Sequence, residues 1–175
     1  MCTGSKAKQR NRSGKTRSGA TNFCESRNHM NSALMERMRP PDHLSLHHIG
    51  FVVASIQESA DSFAQALCAT WDGNIVFDPL QNVSVTFLQR SKIGDPLVEL
   101  VEPGGPESPV SRFLQHGGGL HHLCYEVGDL EAHLTFCKSV GTIIIRPPVP
   151  AVAFNGRRIA WVVTRKRLLM EFLEC

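Results

Sequence analysis

No apolar run in this sequence approaches the roughly 20 residues a bilayer-spanning helix needs, so no membrane-spanning segment is expected. The six cysteines (Cys2, Cys24, Cys68, Cys124, Cys137 and Cys175) lack CxxC spacing and follow no secretory signal. That argues against a thiolate zinc site and against a disulfide framework, and points to reduced thiols in a cytoplasmic compartment. Acids are scarce at one end only. Residues 1–40 hold nine Lys/Arg against Glu25 and Glu36, a net +7, whereas residues 41–175 hold ten against fourteen, a net −4, giving the total of +3. The basic balance belongs to the start of the chain, so no nucleic-acid-binding face is expected. With almost no aliphatic residue before Ala33-Leu34, residues 1–43 read as a disordered basic tail. Its Arg- and Ser-rich start leaves an organellar transit peptide open. A flexible tail, or a start codon placed too early ahead of Met30, Met35 and Met38, is the plainer account.

What the sequence does contain is one stretch twice over. His47-His48-Ile49-Gly50-Phe51-Val52-Val53 and His121-His122-Leu123-Cys124-Tyr125-Glu126-Val127 each run from paired histidines into alternating bulky residues, as a half-buried strand does. Each is followed by a carboxylate inside a later apolar strand, Glu99 at 51 residues from His48 and Glu171 at 49 residues from His122. Both modules predict the order β-α-β-β-β. In residues 44–102, Ser55 caps a helix carrying Ile56, Ala60, Phe63 and Leu67 on one face. Strands are predicted near Gly73–Phe77, Val83–Leu88 and Leu97–Val101. In residues 120–174, Asp129 caps a helix with Leu130, Leu134 and Cys137. Strand Thr142–Ile145 is expected to break at Pro147-Pro148-Val149-Pro150, and Arg158–Val163 and Leu168–Leu173 close the module. Trp161 falls where Thr86 or Phe87 falls in the first copy. The linker, residues 103–119, contains Ser108-Pro109 as N-cap and first-turn proline of a short helix, then Gly117-Gly118-Gly119 as a joint. The fold class expected is α+β, with two tandem βαβββ modules forming a curled mixed sheet.

Side chains alternate across a strand. His48, Gly50 and Val52 therefore share one face and His47, Ile49, Phe51 and Val53 the other, which suits packing under the helix. If each sheet curls, His48, Glu99, His122 and Glu171 converge on the concave face. A carboxylate in an apolar strand is costly to bury unpaired. Two imidazoles and two carboxylates together suit a divalent metal ion such as Co2+, Zn2+, Ni2+ or Mn2+. A lone histidine is more often a satisfied core residue, and that reading is given to His29, His43, His47, His116, His121 and His133.

These residues resemble the vicinal oxygen chelate superfamily, whose paired βαβββ modules form a funnel around a metal. Within it the chain is most similar to the methylmalonyl-CoA epimerases. The similarity rests on Leu46-His47-His48-Ile49-Gly50, Leu97-Val98-Glu99-Leu100-Val101-Glu102-Pro103, Glu107-Ser108-Pro109 with Phe113-Leu114, Gly119-Leu120-His121-His122, and Glu171. It implies metal ligands His48, Glu99, His122 and Glu171, and an epimerase or isomerase that removes a proton α to a carbonyl. It further implies an acyl-CoA substrate and a homodimer. Similar epimerases place a glutamate base in the turn before the third strand, where this chain has Leu80, with Asp78 and Gln81 beside it. The base expected instead is Glu171, with Glu126 second. A glyoxalase-like lyase acting on a glutathione adduct, and a metal-free binding protein of the bleomycin-resistance kind, are the alternatives.

Overall fold

Both module helices begin at the expected caps. The computed structural model describes residues 44–175 apart from Ser91 and Ile93. The reading of residues 1–43 as a disordered tail lies outside the described residues, as do His29 and His43. Strand β1 (Ser45–Val52) leads into helix α1 (Ile56–Leu67), where the Ser55 hydroxyl accepts the Glu58 N–H at 3.3 Å. Strands β2 (Ala69–Trp71), β3 (Val76–Asp78), β4 (Val83–Arg90) and β5 (Leu97–Pro103) complete the first module. After the short linker helix α2 (Ser111–Gln115), the second module holds β6 (Gly119–Val127), α3 (Leu130–Ser139), β7 (Ile143–Pro150), β8 (Arg158–Val163) and β9 (Leu169–Glu174). Asp129 caps α3 by accepting the Ala132 N–H at 2.8 Å.

Among the described residues the strands form one curled, unclosed mixed sheet in the order β2-β4-β5-β1-β6-β9-β8-β7, with β3 paired to β4. Within each module the first strand pairs in parallel with the last, β1 with β5 and β6 with β9. The modules meet where β1 and β6 pair antiparallel. The helices cover the outer face of the sheet. Ile56 and Ala60 of α1 pack on Leu88, Val98 and Leu100, and Leu130, Leu134 and Cys137 of α3 pack on Ala160, Val162 and Phe172.

Three local expectations are corrected. The strand expected at Gly73–Phe77 begins only at Val76, as β3, and a separate short strand, β2, lies before the predicted range at Ala69–Trp71. Thr86 lies on β4 between the stretches that pair with β2 and β3, where its hydroxyl donates to the Asn74 carbonyl at 2.5 Å and accepts Trp71 Nε1–H at 2.8 Å. Strand β7 does not break at its prolines. It is the sheet's edge strand, where a missing N–H is tolerated, and the prolines are absorbed by register shifts against β8. Ser108 does not cap the linker helix. The N-cap is Val110, and Ser108 meets Ser111 N–H through its own carbonyl at 3.0 Å.

Candidate metal centre

Two rows of paired residues cross the centre of the sheet. In one, Glu99 on β5 is opposite Gly50 on β1, and Gly50 is opposite His122 on β6. In the other, Glu171 on β9 is opposite Cys124 on β6, and Cys124 is opposite His48 on β1. The rows are the same device built twice, each joining a glutamate and a small residue of one module to a histidine of the other. The four functional side chains rise over the small central ones and meet. All four are buried, His48 at 0%, His122 at 2%, Glu171 at 3% and Glu99 at 5% exposure.

Their ligating atoms have the spacing of a coordination shell. His48 Nε2 and His122 Nε2 are 3.1 Å apart, and Glu99 Oε2 is 3.4 and 3.3 Å from them. Glu171 Oε2 is 3.2 Å from His48 Nε2 and 3.8 Å from His122 Nε2. Donors about 2.1 Å from one ion, at angles between octahedral and tetrahedral, stand roughly 3.0–3.5 Å from each other. The donors fit a divalent metal, with His48, Glu99 and His122 as the tight set. Aromatic rings hold the imidazoles in place. His48 stacks on Phe154 at 5.8 Å and meets the edge of Phe87 at 5.6 Å, while Trp161 lies 4.7 Å from His122. Phe87 pairs with Glu99 as Trp161 pairs with Glu171, so Phe87, and not Thr86, is the counterpart of Trp161.

The electrostatics match the packing. Burial lowers the His48 pKa, but the Glu99 charge and hydrogen bonds to Glu171 and Glu99 outweigh it and raise it to about 10. Burial likewise works against ionised Glu99, yet the two imidazoles hold its carboxyl well below the usual range. Burial and the neighbouring Glu171 push the Cys124 thiol up, so it is a neutral thiol beside His48 in the metal-free protein. His48 thus carries a proton at neutral pH in metal-free protein, and an incoming ion must displace it. Metal uptake at pH 7 is therefore expected to release a proton from this ring, with apparent affinity falling about tenfold per pH unit as pH drops below 10. Calorimetric titration in buffers of different ionisation enthalpy measures the release, and uptake without it would contradict this protonation state.

The cluster closes a cavity of about 270 Å3. Glu99, His122 and Glu171 line it, with His48 behind them, and Val83, Val85, Val101, Val110, Phe154 and Trp161 supply an apolar wall.

The sequence profile of the Glyoxalase/Bleomycin resistance protein/Dioxygenase superfamily matches residues 47–161, more than half of the chain. The chain belongs to this superfamily. It is 28% identical over 119 residues, 67% of this chain and 86% of the relative, to the ethylmalonyl-CoA/methylmalonyl-CoA epimerase of Cereibacter sphaeroides. To the mitochondrial methylmalonyl-CoA epimerase of Mus musculus it is 35% identical over 89 residues, a span of 50% of this chain and 48% of that one. Among solved structures, methylmalonyl-CoA epimerase from Mycobacterium tuberculosis shares the fold at a TM-score of 0.66 and 21% identity, over 74% of this chain and 87% of that one.

Not every residue singled out in this superfamily member reaches the cluster. Glu126 does not line the cavity; Arg157 Nη2 donates to its Oε1 at 2.7 Å. Arg157 and Arg158 are engaged by Glu126, Glu131 and Glu174. Leu80 is 57% exposed, and its carbonyl accepts Arg146 Nη2–H at 2.6 Å. Asp78 is buried, but its oxygens are committed to the turn. Oδ1 accepts the Leu80 and Gln81 N–H groups at 2.8 and 3.1 Å, and Oδ2 accepts Gln81 Nε2–H and Val152 N–H at 3.3 and 3.2 Å.

Sequence reasoning missed His121, Arg146 and Phe154 as cavity residues, whereas Asp78 and Gln81, placed beside the expected base position, do line the cavity. Gln81 is fixed from both ends, since its Oε1 also accepts Trp161 Nε1–H at 3.2 Å. Phe154 comes from a single turn, Val152–Phe154, that no periodicity announces. The sequence reads His47 and His121 as satisfied core histidines. Instead His121 lines the cavity, and His47 packs its ring edge on Phe154 at 5.5 Å. Burial and the adjacent imidazole of His48 or His122 lower the pKa of both, that of His121 to about 4.

Proposed function

We propose that the protein is a metal-dependent epimerase that removes and returns the proton α to the thioester carbonyl of a methylmalonyl-CoA-like substrate. The observation that carries this reading is the convergence of His48, Glu99, His122 and Glu171 on one point at the base of an apolar cavity. A divalent ion held there supplies Lewis-acid polarisation of a substrate carbonyl. The protein's own residues do the rest. The valine and aromatic wall excludes water and receives the acyl group. Arg146, the cation among the lining residues, gives an acidic acyl group a counter-charge at the wall. Glu171 takes the α-proton, because it is the cluster carboxylate set further from the second imidazole and because Asp78 is consumed by its turn. The names of the bacterial and mouse relatives support the substrate class.

The test is deuterium uptake at C2 of methylmalonyl-CoA in D2O, using protein stripped of metal and then reloaded with Co2+. Exchange that appears only on reloading is the expected result. Absence of exchange in protein shown to hold Co2+ would overturn the substrate assignment and favour a glyoxalase-like reaction on a glutathione adduct.

A further inference from the structure

The first histidine of each pair lies where strand alternation says it cannot. Neighbouring residues on a regular strand point to opposite faces, yet His47 Nδ1 is 2.8 Å from His48 Nδ1, and His121 Nδ1 is 3.1 Å from His122 Nδ1. The pairing of β1 with β6 explains both contacts. From Leu46 to His48, β1 advances two residues while β6 advances one, from Tyr125 to Cys124. From Gly50 to Phe51, β1 advances one while β6 advances two, from His122 to Leu120. The unpaired extra residues are His47 and His121. Each sits in a bulge, which bends the strand and re-aims side chains next to functional sites. The same irregularity stands at the same place in both repeats.

With Nε2 of His48 and His122 turned into the cluster, Nδ1 must carry the ring proton of a neutral ligand and needs an acceptor. The preceding imidazole is that acceptor. Its own ring is held by aromatic contacts, His47 by Phe154 at 5.5 Å, and His121 by Phe113 at 4.8 Å and Trp161 at 6.1 Å. We propose that His47 and His121 are positioning residues, each accepting at its Nδ1 the Nδ1–H of the following histidine and so fixing the tautomer and rotation that present Nε2 to the metal. The inference rests on the metal site proposed above but not on its substrate. It makes the repeated His-His a functional unit of ligand plus orienting acceptor.

The test separates hydrogen bonding from packing. His47→Phe and His121→Phe keep an aromatic ring without the acceptor, whereas His47→Asn and His121→Asn place an amide oxygen near the position of Nδ1. Co2+ affinity is measured by competition with a chelator, and proton NMR of the Co2+-loaded protein follows the exchangeable, hyperfine-shifted imidazole N–H resonances. Wild type should show two such resonances. Each Phe variant should bind Co2+ about 10- to 100-fold more weakly and lose one resonance to solvent exchange, and each Asn variant should recover most of both. Phe variants with undiminished affinity and both resonances would overturn the inference, as would Asn variants no better than Phe. Wild type that binds no Co2+ would overturn the metal site and this inference together.

Discussion

Gly50→Ala is expected to weaken metal binding roughly a hundredfold or more although residue 50 offers no donor atom. An added Cβ would lie 2.6 Å from Nε2 of His122 and closer still to its Cε1 and Nδ1. No rotation about χ1 of alanine relieves this, so the imidazole must leave its place over β1 and the ligand set loses a member. Four-ligand structural zinc sites are worth roughly 10–16 kcal/mol, hence about 3 kcal/mol per ligand and a loss of roughly a hundredfold or more in affinity. The overpacking itself should cost roughly 1–3 kcal/mol of stability. Gly73→Ala is the control. Gly73 has φ of 80° with nothing within 4 Å of the added carbon, so it should show backbone strain alone and unchanged metal affinity. Co2+ titration and thermal melting of both variants make the comparison. A Gly50→Ala protein that bound Co2+ like wild type would mean that His122 is not held where the structure places it.

Glu171→Gln is the second substitution with a large expected effect, because it separates the two carboxylates. Glu99 Oε2 is nearly equidistant from the imidazole nitrogens, at 3.4 and 3.3 Å, whereas Glu171 Oε2 is displaced, at 3.2 and 3.8 Å. Glutamine at 171 keeps an oxygen donor and the neighbouring Cys124 thiol, but cannot take a proton. Co2+ affinity should therefore fall by no more than about tenfold, while C2 deuterium exchange at saturating Co2+ falls by about 10²- to 10⁴-fold, the usual contribution of a general base. Exchange that persisted within tenfold of wild type would place the base elsewhere. Asp78 would not be the obvious replacement, since Asp78→Asn should chiefly weaken the turn at Leu80-Gln81, whose N–H groups its carboxylate receives.

The repeat itself was legible in the sequence, and so were both module helices and the strands that carry the histidines and glutamates. Ser55 and Asp129 cap their helices as expected, and the spacings from His48 to Glu99 and from His122 to Glu171 forecast the convergence of all four residues. The reason is that a half-buried strand forces alternation and a helix forces its apolar stripe, so residue types at fixed periods carry the information locally. What the sequence could not decide depends on pairing between distant strands. A bulge is defined only by two strands aligned against each other, so nothing in His47-His48 or His121-His122 alone shows that both rings share a face. The edge position that lets β7 run through Pro147 and Pro148 is likewise a property of the sheet. The same holds for Gly50, read in sequence as one more residue on the concave face. Only the register across β5, β1 and β6 reveals it as the space into which His122 fits, because a missing side chain acquires meaning from the neighbour that fills its place.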